Sequence, residues 1–197
     1  MVQYKDIFKI KHNNILPKKG KVLISEPFLQ EMCFQRSVIF LIEHNENGSM
    51  GFVLNKKTDI LLNFFFEELE NAPLIPLYFG GPVSSDRLFF IHSLGDVIHG
   101  SVQIDENLFF DGDYESLNGY LLSGNPIQGN IKFFIGYSGW TNNQLENEIK
   151  HDSWLVSATS SHEILHAEGE TFWKKKVKSM GGSYKNWVNY PNNPLLN

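Results

Sequence analysis

The stretch Lys132-Phe133-Phe134-Ile135-Gly136-Tyr137-Ser138-Gly139-Trp140-Thr141-Asn142-Asn143-Gln144-Leu145-Glu146 decides the fold, because it joins an apolar strand to a capped helix. The run 131–137 is short, aromatic and flanked by glycine, which reads as a buried central strand. Gly136 and Gly139 bracket a predicted turn, with Trp140 as its anchor. Thr141 and Gln144, three positions apart, predict a capping box for a helix carrying Leu145 and Ile149.

Upstream, Val22-Leu23-Ile24 and Val38-Ile39-Phe40-Leu41-Ile42 have the length and composition of strands, and Met50-Gly51-Phe52-Val53-Leu54 returns after a turn-rich Asn45-Glu46-Asn47-Gly48. This predicts a hairpin with Gly48 at positive φ. Asp59 is expected to cap a helix over 60–69, with Leu61, Phe64, Phe65 and Leu69 on its apolar face. Leu77-Tyr78-Phe79 leads into the Gly80-Gly81-Pro82 turn, and strands are expected over 88–92, 102–104 and 108–110, followed by a helix over 114–122. Downstream come a strand over 154–156 and helices over 162–166 and 172–180, the second stopped by Gly181-Gly182. Strands and helices mix irregularly and no linker interrupts them, so one domain over 1–197 is expected. A basic arm (1–17) and a flexible tail (189–197) complete it.

Composition narrows the function classes. The chain has 197 residues, 42% apolar and 14% aromatic, with 16 phenylalanines, which predicts an aromatic-rich core. A net charge of −5 argues against a broad nucleic-acid surface, although lysines gather at the N-terminus and at Lys174, Lys175, Lys176 and Lys178. Direct nucleic-acid binding is therefore not expected. Cys33 is the single cysteine, so no internal disulfide forms, and a reducing compartment fits. The sequence shows neither a signal-peptide core nor an apolar run of roughly 18 residues, so a soluble cytoplasmic protein without membrane contact is expected.

Six segments in order, 23–27, 34–44, 51–55, 80–83, 88–92 and 136–148, closely resemble the AlgH/YqgE family of bacterial proteins, a group without a settled biochemical role. The resemblance runs from about residue 20 to about 187. It implies an α+β fold in which a bifurcated mixed β-sheet folds into a pseudo-barrel with helices packed around it. It also implies a regulatory role, since some relatives carry a transcriptional-regulator label drawn from genetic context. It carries over no catalytic residues. Relatives often show Gly-Tyr-Ala-Gly-Trp, whereas this chain has Ser138 in the alanine place.

Several constellations bear on chemistry. His162-Glu163-Ile164-Leu165-His166 matches the H-E-x-x-H pattern of zinc peptidases, in which two histidines bind metal and the Glu activates water. The third ligand position of the longer pattern is Phe172, and Ser160 with Glu163 also spells a capping box, which leaves Gly169 to end the helix. Zinc hydrolysis is thus the alternative reading, with His151, Glu168 or Glu170 needed to complete a site. Ser138 lies in a strand-to-helix context, but Trp140 replaces the last glycine of a nucleophile elbow. Gly80-Gly81-Pro82 lacks the Lys-Ser or Lys-Thr of a phosphate loop. Arg36, His44, Asn55 and His92 sit beside apolar strands and need hydrogen-bond partners if buried, either in structural networks or around a shared cleft. The leading expectation is a non-catalytic regulator without a cofactor that binds a small ligand or a partner protein. Its surface is expected near the glycine turns, formed by Arg36, His44, Asn55, Gly80, Gly81, Pro82, His92, Gly136, Tyr137, Gly139, Trp140 and Gln144.

Overall fold

Alternation along β1 (Val22–Ser25) and β2 (Val38–Asn45) sets the architecture, since successive strand residues face opposite sides of a sheet. Val22, Ile24, Val38, Phe40 and Ile42 enter one apolar cluster, while Leu23, Ile39 and Leu41 enter another. Both faces are covered, which is why these strands are apolar throughout. The computed structural model describes residues 11–70 and 72–191.

The other strands are β3 (Gly48–Val53), β4 (Lys57–Leu61), β5 (Pro76–Phe79), β6 (Val83–His92), β7 (Val102–Asp105), β8 (Leu108–Phe110), β9 (Ile131–Thr141) and β10 (Trp154–Ser157). The helices are α1 (Tyr114–Leu122), α2 (Gln144–Lys150), α3 (Ser161–Leu165) and α4 (Gly169–Ser179). The main path of the sheet is β10-β1-β2-β3-β9-β6-β8-β7, and β9 is its branch point. Along one edge β9 pairs antiparallel with β6. Along the other, its C-terminal half pairs antiparallel with β3, and its N-terminal half pairs parallel with β5, which carries β4. The fold is α+β with one large, mainly antiparallel sheet. Its path ends at β10 and at β7, so the sheet is not closed into the pseudo-barrel that the resemblance implied.

The phenylalanine-rich core is present. Phe52 of β3 lies 4.8 Å from Phe134, 5.6 Å from Phe89 and 5.7 Å from Phe110, joining four strands through ring contacts. A third apolar cluster, with Leu62, Leu69, Ile75, Leu77, Leu117 and Phe133, seats α1 and the β4–β5 excursion against the sheet.

Three expectations change. The segment 136–140 is no turn: β9 runs through it to Thr141, and Gly136, at φ 68°, marks an irregularity opposite the shift between Val83 and Leu88. A Cβ on Gly136 would lie 2.4 Å from the Gly81 carbonyl, and one on Gly81 2.2 Å from the Tyr137 carbonyl carbon. These glycines let two backbones touch. The expected helix over 60–69 is replaced by β4 and two short 3-10 turns, Leu62–Phe64 and Glu67–Leu69. Asn63 causes this, because its side chain donates to the Leu69 carbonyl at 2.8 Å and accepts from the Ile75 amide at 2.9 Å, closing a loop instead of a helix. Phe64 and Phe65 are consequently exposed. Gly169, at φ 67°, opens α4 and does not end α3. Asn13 pins the predicted arm to β10, its side chain exchanging two hydrogen bonds with the Val156 backbone. Tyr190 of the predicted tail stacks on Phe28 at 5.6 Å. The rest of the arm (1–10) and of the tail (192–197) lies outside the described residues.

Candidate functional site

The sheet register gathers four polar side chains that lie far apart in sequence. Lys57 on β4 pairs with Tyr78 on β5, and Tyr78 pairs with Phe134 on β9. Lys132 stands two residues before Phe134 and so shares its face. Glu168, in the α3–α4 connection, closes over them: its carboxylate lies 3.3 Å from Lys57 Nζ and 3.5 Å from the Tyr78 hydroxyl.

These residues line a cavity of about 400 Å³. Leu74, Ile75, Ile127, Phe133 and Leu165 form its apolar wall, and Asn125 and Gln128 add polar groups. That volume suits a small organic ligand. Lys132 is 2% exposed. Its Nζ donates to the Ala167 carbonyl at 2.6 Å and stands 3.3 Å from the centroid of the Tyr78 ring. Burial pushes its ammonium down from 10.5 to about 7, with Glu168 opposing and Lys57 adding to the shift. Burial, with help from Glu168, pushes the Tyr78 phenol up to about 12. An amine whose charge burial disfavours, a neutral phenol and a carboxylate thus meet at one end of an apolar recess.

The residues singled out by sequence do not come together. Arg36 and Asn55 form one network: Arg36 donates to Glu170 at 2.7 Å and to the Tyr190 carbonyl at 2.6 Å, and lies 5.0 Å from the Trp173 ring. Asn55 accepts from the Val38 amide at 2.9 Å and donates to the Arg36 and Gly169 carbonyls, each at 3.0 Å. Arg36 also borders a smaller recess of about 160 Å³ with Lys56 and Glu170. His44 bonds Ser49 at 2.7 Å near the far end of β2, six residues and about 20 Å from Val38 at 3.3 Å per residue. Close to it, Trp140 and Trp154 both donate to Oε2 of Glu148, at 2.9 and 2.8 Å. Gln144 donates to the other oxygen of Glu148 and accepts from the Thr141 amide, one half of the expected capping box. Tyr137 packs edge-on against Phe89, and Gly139 and Pro82 are exposed. His92 is fully buried; it accepts from the Leu94 amide and bonds the Asp111 carbonyl, and burial lowers its pKa. The Ser138 hydroxyl donates to the Gly80 carbonyl at 2.9 Å inside the core.

The H-E-x-x-H residues sit on α3 and its C-terminus. Ser160 caps the helix at Glu163, as its spacing predicted. The Glu163 carboxylate is engaged by Lys175 at 3.0 Å, Lys176 at 3.4 Å and Thr159 at 2.8 Å, and its pKa is held down to about 2, chiefly by the Lys175 hydrogen bond. The rings of His162 and His166 stack 4.1 Å apart, and His166 Nδ1 is tied to the His162 carbonyl. Among the described residues no group of three or more His, Cys, Asp or Glu side chains is placed to hold a metal.

The pairing of β5 with β9 is parallel and non-local, so nothing in the local pattern pointed to Lys57, Tyr78, Lys132 and Glu168 together. One signal was available: a lysine between Ile131 and Phe133, inside a strand read as buried, needs a polar partner.

Known proteins agree with this fold. A crystal structure of a Corynebacterium diphtheriae protein superposes with a TM-score of 0.73 at 21% identity, covering 93% of this chain and 97% of that one. The solution structure of the AlgH protein from Pseudomonas aeruginosa gives 0.69 at 25% identity, over 91% and 98%. A UPF0301 protein of Parabacteroides distasonis is 57% identical over 198 residues, spanning 100% of both chains, and one of Bacteroides thetaiotaomicron is 43% identical over 192 residues, or 98% of this chain and 97% of its own. A family model described as AlgH-like matches residues 22–185, so that ordered motifs, sheet and relatives lead to one statement: the chain belongs to the AlgH-like family.

Proposed function

We propose that this protein binds a small acidic organic molecule in the cleft between β4, β5 and β9, and acts through that binding as a non-catalytic regulator. The carrying observation is the Lys132 amine, buried in the wall of a cavity large enough for a ligand. Lys57 at the rim offers a cation to an acid group, and Leu74, Ile127 and Phe133 offer apolar surface to a carbon skeleton. The cleft is favoured over the glycine segments because the polar side chains near those segments are engaged within the fold. Contact with nucleic acid forms no part of the proposal, since Lys174, Lys175 and Lys176 are ion-paired with Glu170 and Glu163.

Leu74→Trp fills the mouth of the cleft and Lys57→Glu reverses the charge at its rim. Thermal shift against a panel of short-chain organic acids is expected to show a raised melting temperature for the wild type that both variants lose. Both are also expected to fail to complement a strain lacking the gene. Folded variants that complement fully, with no acid stabilising the wild type, would refute the cleft as the working site.

A further inference from the structure

We propose that the cleft captures its ligand covalently, as an imine between Nζ of Lys132 and the carbonyl carbon of a small aldehyde or 2-oxo acid. This rests on the binding reading above and deepens it by naming the ligand class.

The geometry singles out Lys132 among the described lysines. A free amine has two N–H groups and one lone pair. The Ala167 carbonyl at 2.6 Å takes one N–H, and the Tyr78 ring face at 3.3 Å accommodates the second, which leaves the lone pair as the unfilled position beside the cavity. An ammonium at this place would have lost its hydration for one hydrogen bond and one ring contact, so burial favours the free base. Lys57, by contrast, is 46% exposed and paired with Glu168, which fits it to hold the acid group of the ligand.

The step balances with the groups present. The nitrogen lone pair forms a bond to the carbonyl carbon, and the C=O π pair moves to oxygen, which takes up a proton. Nitrogen then loses a proton to the Glu168 carboxylate, which returns it to the carbinolamine hydroxyl so that water leaves as the C=N bond forms; the proton first taken up by oxygen comes from solvent and is the one the net reaction consumes. The protonated imine keeps one N–H for the Ala167 carbonyl, and the Glu168 carboxylate balances its charge. Glu168, in contact with the Tyr78 hydroxyl, is the base within reach for the proton released by nitrogen. The apolar wall of Ile75, Ile127 and Phe133 limits the water that would reverse the step.

The test incubates the full chain at pH 7 with 2-oxobutyrate or butanal and sodium cyanoborohydride, which reduces an imine to a stable secondary amine. Peptide mapping then locates the added mass. The expected result is one dominant adduct, on Lys132, formed at least about tenfold faster than on exposed lysines, because a desolvated amine is the better nucleophile. Lys132→Arg, with an unchanged circular dichroism spectrum, loses that adduct. Labelling confined to other lysines overturns the proposal. The binding reading is tested separately with 2-hydroxybutyrate, which has the acid and chain but no carbonyl carbon to attack. A thermal shift with this acid, without a Lys132 adduct from the oxo acid, sinks the imine and leaves the binding site standing. No shift with either acid and no adduct sinks both.

Discussion

Replacing Lys132 with Met removes an amine whose folded and unfolded protonation differ near neutrality, and the consequence is a change in how stability responds to pH. Unfolded, the lysine regains its ordinary value of 10.5; folded, burial holds it at about 7, against the pull of Glu168 and with the push of Lys57. Above pH 7 the folded chain has lost a proton that the unfolded chain still holds. Unfolding then takes up a proton and becomes less favourable as pH rises, up to the unfolded value. One proton contributes about 1.4 kcal/mol per pH unit, so wild-type stability should gain about 2–3 kcal/mol from this residue between pH 7 and pH 9. Tyr78, at about 12, stays neutral across that range, and other titrating groups are common to both chains and cancel in the difference. Methionine keeps the length of the side chain but leaves the Ala167 carbonyl without its donor. The absolute stability of Lys132→Met therefore mixes two effects, whereas its pH slope isolates the titration. The assay is urea unfolding of both chains at pH 6, 7, 8 and 9. The difference, wild type minus variant, should grow toward high pH. Parallel curves would refute a displaced ammonium at this position and weaken the cleft chemistry built on it.

Two further outcomes follow from the packing. Gly81→Ala places a methyl against the Tyr137 and Ser138 backbone, within 2.4 Å of three atoms, and should cost about 3 kcal/mol or more in unfolding free energy. Gly119→Ala in α1 meets nothing within 4 Å and should gain about 0.5–1 kcal/mol, so equal effects at the two positions would disprove the close backbone approach. Glu148→Ala strands two buried indole N–H groups, those of Trp140 and Trp154, and should lower stability by about 2–4 kcal/mol. Glu148→Gln keeps an acceptor and should recover part of that loss, with tryptophan fluorescence reporting the change.

What could be read from the chain by itself was what short-range chemistry dictates. The β-branched and aromatic runs of β1, β2 and β9, the hairpin turn before Gly48, the Ser160 cap of α3 and the Gly181 stop of α4 follow from side-chain shape and backbone preference within a few residues. The ordered motifs carried the family. Tertiary structure decided the rest. Phe64 and Phe65 looked like a helix face because their spacing is helical, yet Asn63 folds the loop back on itself and leaves both exposed. Gly136 looked like the end of a strand because glycine ends strands, but here it admits the Gly81 backbone alongside a strand that continues. The cleft could not be read locally, since Lys57, Tyr78, Lys132 and Glu168 meet only when β5 pairs in parallel with β9 and the α3–α4 connection covers them. Periodicity reports which way a side chain faces. Which distant side chain it meets is set by the register of strands far apart in the chain, and that is a property of the folded whole.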